Sequence, residues 1–352
     1  MRAISWARSA CAYFRIWHAA SLAQSERHQP LANSYRSACL WLVAVMIAMT
    51  TLLESMARLR VELEGVAPLA WIIAALLSLS SLLDKSGRHP RLTDALGVLG
   101  VVWLAGLSGG ALAMLGLTLH FPLADGYLHS ADRALGLDGV AITERLVEQG
   151  QRLFSLMAPA YAYTILVLVG SLVSVALVGR RVEAWRAAFC LIGALATICV
   201  IAMLTPAKGL GVWAPSSLLR HLPLRSMRYF WANFDKFYSG DGAVLGLKTL
   251  DGVIAFPSFH AAMGLVTMAT WRKNLGALLV VSPWFVFMLL ATLPYGGHYV
   301  VDLIGALGVW AAWFAVSLRI EAAHEAGRLP VPPLVEMTGP LADRRCAARQ
   351  SR

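Results

Sequence analysis

The sequence predicts an all-α, polytopic transmembrane helical bundle of about eight spans. Three observations carry that expectation. Hydrophobic residues make up 58% of the 352 positions and charged residues only 14%, where a soluble domain would hold about 25% charged. Apolar runs of about 20 residues, long enough to cross a bilayer core, recur from end to end. The short connections between them alternate in charge, one set being uniformly basic.

Along the chain, residues 1–37 read as a cytoplasmic N-terminal arm. Arg2, Arg8 and Arg15 give it a basic start, but no compact apolar core with a small-residue cleavage site follows, which argues against a cleaved leader. Spans are expected at 38–57 and 66–83, an accessory pair filling 38–93, and then at 94–119, 158–179, 187–206, 255–271, 275–294 and 299–318. The last six make one transmembrane domain over 94–318, followed by a basic cytoplasmic tail at 319–352. The third run is long and holds Gly106, Gly109 and Gly110, where close helix packing or a kink is expected.

The net charge of +10 does not point to nucleic acid, because its distribution follows the membrane. With the N-terminus inside, the arm, the tail and the cytoplasmic loops hold 19 of the 30 Lys and Arg residues. The inner loops carry Lys85, Arg88 and Arg91, then Arg180, Arg181 and Arg186, then Arg272 and Lys273, as the positive-inside rule requires. Both termini are therefore expected to be cytoplasmic. Five scattered cysteines are too few for a disulfide framework or a zinc site and read as packing residues.

Two histidine motifs stand out in neighbouring hydrophobic segments, FPSFHAAMG around His260 and GGHYVVDLIG around His298. Asp302 lies four residues beyond His298, on the same helix face, and an ionisable residue inside a span is functional by default. A carboxylate so placed fixes the tautomer of an imidazole, while a second histidine supplies or removes a proton. The predicted topology brings both motifs to the extracytoplasmic face. Pro257 suits a first helical turn, and Ser258 either caps that helix or offers a hydroxyl to a ligand. Gly296 and Gly297 would let backbone amides approach a ligand. Two helix N-termini at one aqueous pocket would make an anion site, phosphate being the natural occupant. The long outer loop adds the cations Lys208, Arg220, Arg225, Arg228, Lys236 and Lys248. His120, His129 and His221 read as structural, and Tyr299 as part of the interfacial aromatic belt. A zinc site built from the two histidines and Asp302 lacks a fourth ligand.

These residues resemble the type 2 phosphatidic acid phosphatase superfamily, whose motifs are K-x6-R-P, P-S-G-H and S-R-x5-H-x3-D. Pro257-Ser258-Phe259-His260 matches the second with Phe in the Gly position. For the third, Ala291, Thr292, His298 and Asp302 align, keeping His and Asp but losing Ser and Arg. Lys208 sits where the first-motif Lys should lie, without the Arg-Pro that should follow. The form FPSFHA and the reduced GGHYxxD resemble the inositolphosphotransferase branch, which includes inositol phosphorylceramide synthases. The stretch DRALGLD at 132–138 is similar to bacterial members, and the resemblance spans roughly 120–318.

The resemblance implies a six-helix core in a bacterial inner membrane, with His298 as a nucleophile forming a phosphohistidine. Asp302 would be its orienting partner, and His260 the general acid and then the base. Substrate contacts would come from Ser258, Gly297, Lys208, Arg220 and Lys248. The partners implied are a membrane lipid and a polyol or water acceptor, with no metal, cofactor or nucleic acid. The function expected is phosphoryl-linked headgroup transfer, inositol phosphate included. The alternatives are a lipid phosphate phosphatase and a non-enzymatic transport or lipid-binding protein, the latter disfavoured because transport sites sit near the bilayer midplane.

Overall fold

The computed structural model describes residues 2–57, 59–62, 64–223, 226–250 and 252–327, with side chains described from Gln29 onward, Gln151 excepted. It divides into two compact units. One is Tyr35–Ser317, which holds the candidate site; the other comprises the described residues of Met1–Ser34 and Leu318–Arg352. The expected tail beyond Gly327, and the candidate cation Arg225, lie outside the described residues.

The described residues form thirteen α-helices in the order α1 Arg2–Ala57, α2 Val66–Ser86, α3 Pro90–Leu117, α4 Asp125–Ala134, α5 Gly139–Glu148, α6 Gln151–Ala162 and α7 Thr164–Leu177. They continue as α8 Arg181–Leu204, α9 Ser216–Leu219, α10 Trp231–Ser239, α11 Phe259–Trp271, α12 Leu275–Thr292 and α13 Val300–Glu325. Six are long and apolar enough to cross a membrane, α1 through its Gln29–Ala57 part, with α2, α3, α8, α12 and α13. The α6–α7 pair, bent by 53°, has the length and apolarity of a seventh only when taken together as one span. The protein is an all-α polytopic membrane protein. The residues expected as an arm at the N-terminus are helical, since α1 runs through them.

Two spans differ from the sequence reading for identifiable reasons. The fourth, expected to be continuous, breaks at Tyr163. The Ala160 carbonyl accepts from the Thr164 hydroxyl at 3.0 Å and from Trp284 Nε1 at 3.1 Å. Side chains inserted into the helical ladder are a recognised cause of kinks. The sixth, expected over 255–271, is helical only from Phe259 to Trp271. At 1.5 Å per residue its 13 residues cover only about 20 Å.

α3 lies at the centre, packed on α2, α7 and α8. A Cβ on Gly97 would fall 2.9 Å from Ser80 Oγ and 3.0 Å from the Trp185 ring, and one on Gly109 would fall 2.8 Å from Leu195. Small residues thus let the helices approach closely, as membrane interfaces require, and of the two roles expected for the glycine run this is the packing one. Cys39, Cys190 and Cys199 are buried among these helices. At the end carrying the short basic loops, the buried Asp94 accepts from Arg181 Nη2 at 3.1 Å and from Trp185 Nε1 at 2.9 Å, stapling α3 to α8. A two-residue parallel pairing, β1 Arg60–Val61 with β2 Val244–Leu245, ties the α1–α2 connection to the long loop after α10. Removing one member of a buried ion pair leaves an uncompensated charge. Asp94→Ala should therefore cost about 3–5 kcal/mol of stability, read as a lowered thermal midpoint in detergent.

Candidate active site

The first residue of the site is the buried Ser258, which precedes α11 and caps it. Its Oγ accepts from the Ala261 N–H at 3.3 Å, and its own N–H donates to the Asp302 carbonyl at 3.0 Å. His298 precedes α13 and is 3% exposed. Its Nδ1 lies 2.9 Å from the Ala255 carbonyl and 3.1 Å from Asp302 Oδ2. Both neighbours are pure acceptors, so Nδ1 must carry the proton and donate to them. That leaves the lone pair on Nε2, which faces the Ser258 hydroxyl at 3.2 Å. Since the serine oxygen already accepts from Ala261, its hydrogen is available to Nε2. Asp302 Oδ2 also accepts the Tyr299 N–H at 2.9 Å, while its buried Oδ1 has no hydrogen-bond partner. Ser258, His298 and Asp302 are thus joined by short bonds across the start of two helices.

His260 lies in the first turn of α11, half-buried. Its ring stacks on Tyr161 with centroids 4.1 Å apart and planes 17° from parallel. A Cβ on Gly296 would fall 2.7 Å from both the Tyr161 hydroxyl oxygen and His298 Cδ2. The bare Gly296 backbone therefore lets His298 and the Tyr161 end of the Tyr161–His260 stack pack closely against it.

Other predicted site residues are placed differently. Gly297, at φ +71, is a packing residue and not an amide donor to a ligand. Its N–H is committed to the Leu293 carbonyl at 3.0 Å, and its carbonyl accepts from Leu210 at 2.6 Å. The opposing Gly209, at φ +83, has no space for a side chain against that carbonyl. Lys208 pairs its ammonium with Asp235 and lies 5.4 Å from the Trp231 ring centroid. Arg228 lies 4.6 Å from the same ring and donates to the Gly211 carbonyl at 2.7 Å. Arg220 and Lys248 are exposed on the loop. Among the described residues, the structure brings none of these cations into hydrogen-bond contact with His260 or His298. No group of three His, Cys, Asp or Glu side chains with metal-binding geometry occurs among the described residues.

The expected anion site at the start of α13 is already filled by the protein. Asp132, 1% exposed, accepts the Val300 and Val301 N–H groups at 2.9 and 2.8 Å. Burial pushes its carboxyl up from the ordinary range, with these two amides pulling the other way. Asp125 accepts the backbone N–H groups of Lys208 and Gly209 at 3.0 and 2.8 Å, and the Tyr299 hydroxyl at 2.9 Å. Tyr299 is fully buried and receives Trp213 Nε1 at 2.9 Å, so it is not an interfacial belt residue. Burial, and then the Asp125 carboxylate, push its hydroxyl up, which keeps it a donor. Both aspartates escaped the sequence reading, although Asp132 opens the DRALGLD stretch and its companion Asp138 caps α5 through Val140 and Ala141.

The family model described as the PAP2 superfamily matches residues 126–316. The chain belongs to the PAP2 superfamily. The match takes in Asp132, Tyr161, Ser258, His260, His298 and Asp302, and membership carries a lipid phosphatase or phosphotransferase type of function. Comparisons with curated proteins and with solved structures gave no match. Against the superfamily's second motif, Phe259 replaces Gly, and its side chain packs on the Ala194, Ile198, Ala262 and Ala306 cluster between α8, α11 and α13. At the third-motif Arg position, Thr292 is fully buried, and its carbonyl accepts the His298 N–H at 3.2 Å.

Replacing Asp132 with Ala would free two amides at a buried helix start. The expected loss is about 1–2 kcal/mol, typical of a removed N-terminal cap, together with reduced turnover as the 298–302 turn loosens. Chemical unfolding and activity on the same preparation would check it.

Proposed function

We propose that this protein is an integral membrane phosphatase or phosphotransferase acting on lipid phosphate or phosphodiester headgroups through a phosphohistidine at His298. The observation that carries the reading is the protonation pattern of His298. With Nδ1–H directed to Asp302 and Ala255, Nε2 is left as a free base facing the Ser258 hydroxyl. In the first half-reaction Nε2 gives up the Ser258 hydrogen bond and attacks phosphorus. The P–O bond to the leaving alkoxide breaks, and that oxygen takes a proton from the imidazolium of His260. In the second, neutral His260 removes a proton from water or an acceptor alcohol, whose oxygen attacks phosphorus and frees Nε2. Asp302 stabilises the positive charge that His298 acquires while it carries the phosphoryl group.

The burial of Ser258, His298 and Asp302 favours an alcohol acceptor over water, since a nearly closed site limits hydrolysis of the intermediate. A polyol such as inositol fits that reading. The reduced third motif supports it, whereas Phe259, packed in the cluster between α8, α11 and α13, does not. The basic inner loops favour an orientation with both termini cytoplasmic and the histidines on the extracytoplasmic side of a bacterial inner membrane.

His298→Ala should abolish turnover and the trapping of an acid-labile phosphoenzyme. Wild-type rates in that variant would sink the mechanism. Asp302→Asn should remain folded and lose about 10³–10⁴-fold in rate, the scale seen when a triad carboxylate is neutralised. Feeding a headgroup-labelled phospholipid with and without myo-inositol separates the acceptors, because hydrolysis yields free phosphate and transfer yields a new phosphodiester. For orientation, a reporter fused after Arg272 should read cytoplasmic and one after Arg228 extracytoplasmic.

A further inference from the structure

The two imidazoles are held in unequal ways. His298 is fixed by two acceptors at Nδ1 and a hydroxyl at Nε2. None of the described residues hydrogen-bonds either ring nitrogen of His260, so hydrogen bonding leaves its plane undefined. What contacts its face is Tyr161, nearly parallel at 4.1 Å.

Tyr161 is itself placed with care. It occupies the last turn of α6, next to the break that bends the α6–α7 span by 53°. Trp284 of α12 and Thr164 of α7 hold that break through the Ala160 carbonyl, one residue before Tyr161. The Tyr161 hydroxyl interacts with Tyr229 of the long loop after α9, whose own hydroxyl donates to the Gly252 carbonyl at 3.4 Å. The ring thus lies between a bent span and the loop leading into the His260 motif. Tyr295, with its centroid 6.4 Å away, flanks it.

We propose that Tyr161 is a positioning residue for His260, its ring setting the plane in which the imidazole delivers a proton to the leaving oxygen. The inference rests on the phosphoryl-transfer reading above, with His260 as the acid. The ring does this work; the hydroxyl only tethers it.

The test compares Tyr161→Phe with Tyr161→Leu on two substrates: a lipid phosphate with an alkyl leaving group, and an aryl phosphate whose nitrophenolate leaves without protonation. Tyr161→Phe keeps the stacking surface and should stay within about threefold of wild type on both. Tyr161→Leu should lose about 10²-fold in kcat on the lipid, the low end of what general acid catalysis contributes. On the aryl phosphate it should lose less than about tenfold. The ratio of the two turnover numbers, taken on one preparation, does not depend on how much protein is folded. Equal losses on both substrates, or a Tyr161→Phe variant as impaired as Tyr161→Leu, would overturn the proposal. His298→Ala in parallel tests the underlying reading: retained activity there refutes the phosphohistidine mechanism itself, whatever Tyr161 does.

Discussion

A single buried carboxylate holds the two halves of the site together. Asp302 Oδ2 takes the ring proton of His298 and the amide of Tyr299, and its backbone carbonyl takes the amide of Ser258. Through these bonds the start of α13 is locked to the start of α11, although their motifs lie 40 residues apart between Ser258 and His298. A buried carboxylate is costly unless it is compensated, and here the compensation is the imidazole itself. With Oδ1 lacking a hydrogen-bond partner among the described residues, Asp302 depends on the His298 ring and the Tyr299 amide at Oδ2. The same dependence fixes which ring nitrogen is basic. Structure and reactivity therefore rest on one proton.

A second layer keeps that arrangement in register. Asp132 closes the α13 N-terminus, and Asp125 gathers two loop amides with the Tyr299 hydroxyl. A helix start carries partial positive charge and unsatisfied amides, which draw an anion. In this chain the anion is a side chain from α4, so the dipole serves to anchor the turn bearing His298. The α13 start is thereby closed to an outside anion.

The spans were legible because hydrocarbon demands long apolar helices, and that constraint shows in any window of sequence. His298, Asp302 and Ser258 were legible for a related reason, since ionisable and capping residues stand out against such a background. The bend at Tyr163 was not, because it arises from the indole of Trp284 reaching a carbonyl more than a hundred positions away. Asp125 and Asp132 look like ordinary loop charges until the fold brings them to α13. Tyr161 and Tyr299 carry no sequence mark, as aromatic residues near span ends are expected at the interface anyway. The loop cations erred in the opposite direction. Their charge suggested phosphate, yet Lys208 and Arg228 are occupied by Asp235, Trp231 and a carbonyl of the loop itself. Local pattern reveals type and spacing; long-range partners decide use.

The brevity of α11 has a bearing on how a lipid reaches the histidines. Thirteen helical residues reach about 20 Å, against about 30 Å for the hydrocarbon layer. A helix of that length cannot by itself cross the hydrocarbon layer, so with Trp271 at one interface Ser258 would lie below the other, a mismatch of the kind relieved by local thinning of the leaflet. Substrate entry would then depend on the acyl-chain length of the host membrane.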